Sequence, residues 1–485
     1  MKRSSLVIAA LLAACAPGLP GPGGGSRAVS PTSSEPWDPV RLVRDTVAST
    51  PTVVTSPDLA ARRNALTLTD VVDLGLRNNP ATRISWANAR AAAARLGASR
   101  GDYLPTVNVD LRANEVQTSG AQGTAAVKQD ILGGTASFSW LLFDFNRGPS
   151  ISSARYALAA ADWTHNAAVQ DVVLDVGQAF YQYAAARALL NAQRLTKAEA
   201  DTNLAAAEER RRVGVATIAD VLQARTAAAQ AQLEMQRTEG VLAATRGALA
   251  VATGFPANVD FEIDSLAGQG PIGEIVDSVD ILIAAAKASR PDLAAASAQY
   301  EASRADARAA YGRRLPALTA SGNMGRSYLS TVDDPRDSYT VGIGVSIPIF
   351  NGFTWEYDAQ AARETARAQA ARAEQMTQRA VLEVFTDYYA LRTATQNVRT
   401  SEELFASATE SAEAARARYR SGVGGLLELL TAESALGDAR SARVAARLTW
   451  HVALLQLAHD IGVLDPRGGH PLRLVTDTTT TVPAR

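Results

Sequence analysis

Val341-Gly342-Ile343-Gly344-Val345-Ser346-Ile347-Pro348-Ile349 alternates large apolar residues with glycine, serine and proline. Side chains on a strand point to opposite faces in turn, so a period of two describes a strand with two unlike faces. The stretch runs into Phe350-Asn351-Gly352 and then into a long segment without proline. A less regular counterpart spans about Thr135 to Phe145 and is followed by Phe145-Asn146-Arg147-Gly148. Partner strands are expected near Thr106–Thr118 and Ala317–Leu329, with Gly/Ser/Asp-rich loops at about 119–134 and 330–338.

This correspondence is one piece of an internal duplication. Asn79-Pro80 recurs as Arg290-Pro291 and Leu104-Pro105 as Leu315-Pro316, both 211 residues later. Phe180-Tyr181 matches Tyr388-Tyr389, Arg212-Val213-Gly214-Val215 matches Arg420-Ser421-Gly422-Val423, and Gly254 matches Gly462, all at 208. Separated anchors at a constant offset define two copies of one unit, 66–254 and 277–462, joined by 255–276. Each copy opens with a helix (about 69–101, then 281–312) that stops before Leu-Pro, because the residue before proline leaves the helical region. After the strands comes a helix of about 64 residues, from Pro149 to Arg212, or about 96 Å. A return helix of about 39 residues leads to Gly254.

Val169, Val173, Val176, Phe180, Tyr183 and Leu190 form a heptad-like seam on the long helix, repeated at Val381, Val384, Tyr388, Leu391 and Val398. Such a seam packs against neighbouring helices as in a coiled coil. Abundant alanine allows close approach elsewhere, and the large remaining surface predicts an oligomer.

Composition narrows the function. Among 485 residues, 48 are basic and 49 acidic, which leaves no electrostatic footprint for nucleic acid. A single cysteine excludes an intramolecular disulfide, and no metal site or cofactor is expected. HExxH, GxxxxGK[ST] and GxSxG are absent, so no catalytic residues are assigned and the chain does not read as an enzyme. His165, His451, His459 and His470 read as structural or surface residues.

Lys2 and Arg3 precede a short apolar run, Leu6 to Ala13, too short to span a bilayer but suited to a secretory signal over 1–14. Leu12-Ala13-Ala14-Cys15 resembles a bacterial lipobox, which implies cleavage before Cys15, acylation of its thiol, and a tether over 15–65. Ala16, with no aspartate there, implies sorting to an outer membrane. The tail, 463–485, reads as disordered.

No apolar run outside the signal is long enough for a spanning helix. Four strands in one chain leave two open edges, and within a membrane only a closed barrel satisfies every backbone polar group. Closure therefore needs strands from other copies. A mean hydropathy of −0.05 suits a barrel in which only alternate residues face lipid.

The duplicated helix–strand–strand–long helix–helix order resembles the TolC-type outer-membrane efflux proteins. So do Asn79-Pro80, the two Leu-Pro pairs, Pro348-Ile349-Phe350-Asn351-Gly352 and both helix-breaking turns. The resemblance covers 66–462, and Cys15 is similar to the anchor of its lipoprotein branch. It implies a mixed fold: a homotrimer sharing one twelve-stranded membrane β-barrel, continued by a long α-helical barrel across the periplasm. The implied partners are a periplasmic adaptor, an inner-membrane transporter and outer-membrane lipid, and the implied role is a passive exit duct for drugs, metals or other small molecules.

The resemblance also assigns residues. Gly214, Val215, Gly422 and Val423 occupy the turns that meet the adaptor. Asp220 and Glu428, six residues after each glycine, and Tyr419 fall at the pore constriction. Gly424 stands where the family has a basic residue and Thr431 where it has a second acid, while Arg416, Arg418 and Arg420 are available for replacement ion pairs. Alternative readings are an exit duct for type I protein secretion and a lipid-anchored periplasmic coiled coil without a pore.

Overall fold

The computed structural model describes residues 66–118, 127–259, 262–263, 273–275, 277–329, 332–464 and 474–476. Cys15, the signal segment, the tether and His470 lie outside them. The described elements are α1 (Leu68–Asn78), α2 (Pro80–Gly101), β1 (Thr106–Thr118), β2 (Val127–Phe143), α3 (Arg147–Arg212), α4 (Ile218–Ala252) and β3 (Gly273–Ile275). The second half repeats them as α5 (Val279–Ser289), α6 (Pro291–Gly312), β4 (Ala317–Leu329), β5 (Val332–Ser346), α7 (Thr354–Arg420) and α8 (Leu426–Ile461), closed by β6 (Leu474–Thr476).

Four expectations need correction. The opening helix of each repeat is two helices, because Asn79 and Arg290 are extended (ψ 130° and 120°) in front of Pro80 and Pro291. The segments assigned to loops are largely strand: β2 begins at Val127 and β5 at Val332, since polar residues such as Gln129 and Asp337 join the backbone ladder whatever their side chains. β5 stops at Ser346, short of Pro348, which has no N–H to donate. The tail is not wholly without structure, because Leu474–Thr476 pairs antiparallel with Gly273–Ile275.

The chain divides into two compact units, one of 88–161 and 294–375, the other of 1–87, 162–293 and 376–485. In the first, the two hairpins join into one antiparallel sheet of order β1-β2-β4-β5, so β1 and β5 are its edges. Rows across the sheet alternate in character. Val107–Phe138–Gly322–Val341 and Val109–Ala136–Met324–Tyr339 lie on one face, Asn108–Ser137–Asn323–Thr340 and Asp110–Thr135–Gly325–Ser338 on the other. Gly322 is glycine because the Phe138 ring fills its place, 2.6 Å from where a Cβ would stand.

The second unit is helical. Val169, Val173, Val176, Phe180, Tyr183 and Leu190 of the seam are all buried. Val173, Val176, Phe180 and Tyr183 pack with Val71, Val72 and Leu74 of α1, Leu249 of α4 and Leu455 of α8, so the two repeats share one core. Close approach needs glycine there: a Cβ on Gly177 would lie 2.6 Å from Leu455 Cδ1. In the second repeat Val384, Leu391 and Val398 are buried with Trp450 and Leu454, while Val381 and Tyr388 are only half-buried.

Candidate functional site: the helix turns and the two-faced sheet

α3 and α7 end in the same way. Gly214 (φ 82°) accepts the left-handed conformation, its N–H bonds Arg211 O at 3.0 Å, and Val215 N–H bonds Arg210 O at 2.9 Å. Gly422 (φ 77°) repeats this with bonds to Tyr419 O at 3.2 Å and from Val423 to Arg418 O at 3.0 Å. This pair of bonds is the Schellman ending, for which glycine is preferred. Val215 and Val423 project from the turns, 67% and 70% exposed, beside exposed Val213 and Leu427.

Behind the turns the hairpins pack on each other. Ala207, Val221 and Ala224 of the first repeat are buried with Ala415, Tyr419, Leu426 and Leu429 of the second. Arg210 locks the contact: it donates to Tyr419 O at 3.1 Å, and its guanidinium lies 4.5 Å over the Tyr419 ring. Tyr419 is thus a buried packing residue, with a cationic partner that the sequence did not reveal.

The two acids sit differently. Asp220 closes a capping box, accepting from Thr217 N and Oγ1, each at 2.8 Å, while Thr217 Oγ1 accepts from Asp220 N at 3.2 Å. The backbone and side-chain bonds from Thr217 hold its carboxyl below the usual range. Glu428 has no such duty, because α8 starts at Gly425 without a side-chain cap, and it pairs with Arg418 at 3.0 Å. Thr431 bonds Leu427 O within its own helix at 2.8 Å. Gly424 has a steric reason: a Cβ there would lie 2.9 Å from Arg418 Cβ.

Arg416 joins a deeper network. It bonds Glu433 and also Glu199 at 2.9 Å, and Arg440 reaches Glu199 at 2.7 Å, tying α3 to α7 and α8. Burial would raise the Glu199 carboxyl, but the bonds from Arg440 and Arg416 outweigh it and hold the group low. Of the histidines, His165 is buried against Ser85 at 2.8 Å, and His451 stacks on Tyr181 with centroids 4.3 Å apart.

In the sheet, the exposed apolar face is what a lipid-facing surface requires. Its centre moves from Val109 on β1 to about three residues further along on β5, Val341 to Ile343. Three residues are about 10 Å, across three strand spacings of about 4.8 Å each, so the apolar band slants by about 35° to the rows. Strands of closed barrels tilt by about that angle. Arg326 and Asp337, paired at 2.6 Å, interrupt the apolar face on β4 and β5, and Leu132 and Tyr328 continue it beyond them on β2 and β4. No helix among the described residues is long and apolar enough to cross a membrane.

The comparisons with known proteins agree with this geometry. Residues 71–255 and 282–463 match the profile of the outer membrane efflux protein family. Protein CyaE of Bordetella pertussis is 29% identical over 428 residues, spanning 84% of this chain and 86% of its own. Outer membrane protein TolC of Vibrio cholerae is 24% identical over 410 residues, spanning 82% and 91%. The crystal structure of the outer membrane protein VceC from Vibrio cholerae superposes with a TM-score of 0.71 at 20% identity, covering 81% of this chain and 96% of that one, and so shares the fold. With a two-faced sheet, long paired helices and both repeats matched, the chain belongs to the outer membrane efflux protein family and has the fold of a TolC-like channel.

Proposed function

We propose that three copies close their sheets edge to edge into a twelve-stranded barrel, and that the assembly is the passive exit duct of a tripartite efflux system. Supporting this most directly is the sheet itself. Its faces are unlike and its edges, β1 and β5, are unpaired among the described residues, so pairing β5 of one copy with β1 of the next completes the ladder. The polar face carries mainly Ser, Thr, Asn and Gly, which suits a wet lumen. An inner-membrane transporter supplies the energy through a periplasmic adaptor, which docks on the exposed turns at Gly214-Val215 and Gly422-Val423. Glu428 lines the constriction near those turns, and Cys15 carries the lipid anchor.

Gly422→Trp should abolish export of drug-like substrates while leaving trimers intact on a gel; unchanged export counts against docking at this turn. Conductance in planar bilayers separates a pore from a coiled coil, and Glu428→Ala should alter cation selectivity if Glu428 faces the lumen. Labelled palmitate should enter the wild-type protein and not Cys15→Ser.

A further inference from the structure

Each repeat has a joint where its return helix ends against its broken opening helix, and the two joints are built from different chemistry. In the first, Gly254 lies against Asn78 and Asn79, and Asn79 Nδ2 donates to Ala252 O at 2.9 Å. In the second, Gly462 lies against Arg290, whose guanidinium donates to Asp460 O at 3.2 Å and pairs with Asp292 at 2.7 Å and Glu383 at 2.9 Å. At the repeat offset of 208, Asp387, His459 and Asp460 correspond to Ala179, Val251 and Ala252. The fold therefore makes this joint once without titratable side chains at those three places, and its backbone does not require them.

The second joint surrounds a cavity of about 500 Å³. There Asp387 on α7 and Asp460 on α8 line the same cavity, and a proton on Asp387 lets the two carboxyl groups share a hydrogen bond. His459 spans Asp460 through Nδ1 at 2.7 Å and Asp171 on α3 through Nε2 at 2.9 Å. Donation from both ring nitrogens is the property of the protonated imidazole. Asp175 on α3, Arg379 and Glu383 on α7, and Arg290 with Asp292 at the α5–α6 joint complete the charged surroundings. Carboxyl groups outnumber cations here, and a proton on Asp387 reduces the excess.

We propose that Asp387, His459 and Asp460 form a proton-held clasp that fastens α7 and α8 to α3 and releases as the surroundings turn alkaline. Burial, the bond to Asp460, and the charges of Asp460 and Glu383 hold the Asp387 carboxyl far above the usual range. Burial pulls His459 down, but its bonds to Asp171 and Asp460 prevail and push it up to about 9. Burial would raise Asp460, yet the bonds from His459 and Asp387 keep it low. Both raised groups hold protons that the unfolded chain would give up, so the joint weakens as pH rises. The His459 contribution is complete below its ordinary value of 6.5 and is lost through about 9. Above that, Asp387, Asp460 and Glu383 repel and one histidine bond is gone. α8 leads from this clasp to the Gly422 turn, about 50 Å away along its axis, so release here loosens the anchored end of the second hairpin alone.

Hydrogen exchange on the full-length protein in detergent, corrected for intrinsic rates, tests this between about pH 6.5 and 9.5. The last two turns of α8 should lose about tenfold protection across that range, while the matching end of α4 stays constant. Asp387→Asn keeps a neutral hydrogen-bond donor and should shrink the loss to the His459 step alone, near pH 9; His459→Gln should give low protection throughout. Parallel behaviour of the two helix ends, or a wild-type transition in Asp387→Asn, overturns the clasp. Should a variant not fold, infrared spectroscopy of the wild type decides: a protonated-carboxyl band present at pH 7 and lost by about 9.5 supports it, and its absence at pH 7 overturns it.

Discussion

The turn at Gly214 and the turn at Gly422 share a backbone but start their next helices by different means. After Gly214, Thr217 and Asp220 satisfy the first amides of α4 with side chains. After Gly422, Gly425 leaves the corresponding amides of α8 without a side-chain cap, and the acid six residues on is turned to Arg418 instead. α4 is therefore fixed locally, through its cap, whereas α8 depends on packing by Leu426 and Leu429. An acid consumed in a cap is unavailable for other work; one left over is not.

The largest expected effect comes from removing that packing. Leu429 is buried among both hairpins, and Leu429→Ala should cost about 3 kcal/mol in thermal unfolding, more than Val221→Ala on the capped side. A loss below about 1 kcal/mol would mean that the shared cluster does not hold the turn. Next, Gly214→Ala and Gly422→Ala should each cost about 1–2 kcal/mol, because both positions have positive φ. Markedly unequal losses would break the claim of a common backbone. Thr217→Ala should cost about 1 kcal/mol and speed amide exchange in the first turn of α4 alone. Since the Asp220 carboxyl is held low, its contribution is present above the ordinary carboxylate range and fades as pH falls below it. Smallest are two changes at the second turn. Glu428→Ala removes a half-exposed pair and should shift stability by only a few tenths of a kcal/mol. Gly425→Ser, where a Cβ meets nothing within 4 Å, should add a few tenths by supplying the missing cap. If it instead destabilises α8, the start of that helix is not the uncapped one described.

Much of this was legible in the chain because it is written in local spacing. β1 and β4 fall on the residues that the alternation indicated, and the glycine turns stand where the repeat placed them. The helix breaks at Asn79 and Arg290 follow from the same pre-proline rule that keeps the helices ending at Gly101 and Gly312 from continuing through Leu104 and Leu315. The outer halves of β2 and β5 show no period of two, because Lys128-Gln129-Asp130 and Asp333-Asp334 place polar residues in succession and Ile131-Leu132 places apolar ones side by side. Arg418 was named among three arginines able to pair with an acid, and it does. Arg210 with Tyr419, Arg440 with Glu199, and His459 with Asp171 were out of reach. Their partners lie 209, 241 and 288 residues apart, on helices whose many charged positions look alike.

The open edges of the sheet have a consequence for how the barrel is made. Adding a second copy to a first joins one pair of edges and leaves two, so an arc of any length is as exposed at its ends as a single chain. No partial arc gains on its predecessor in this respect, and only the joint that closes the ring removes the last unpaired amides and carbonyls. In a barrel made from several copies, a half-built ring therefore still carries the two open edges that are a template for unwanted pairing.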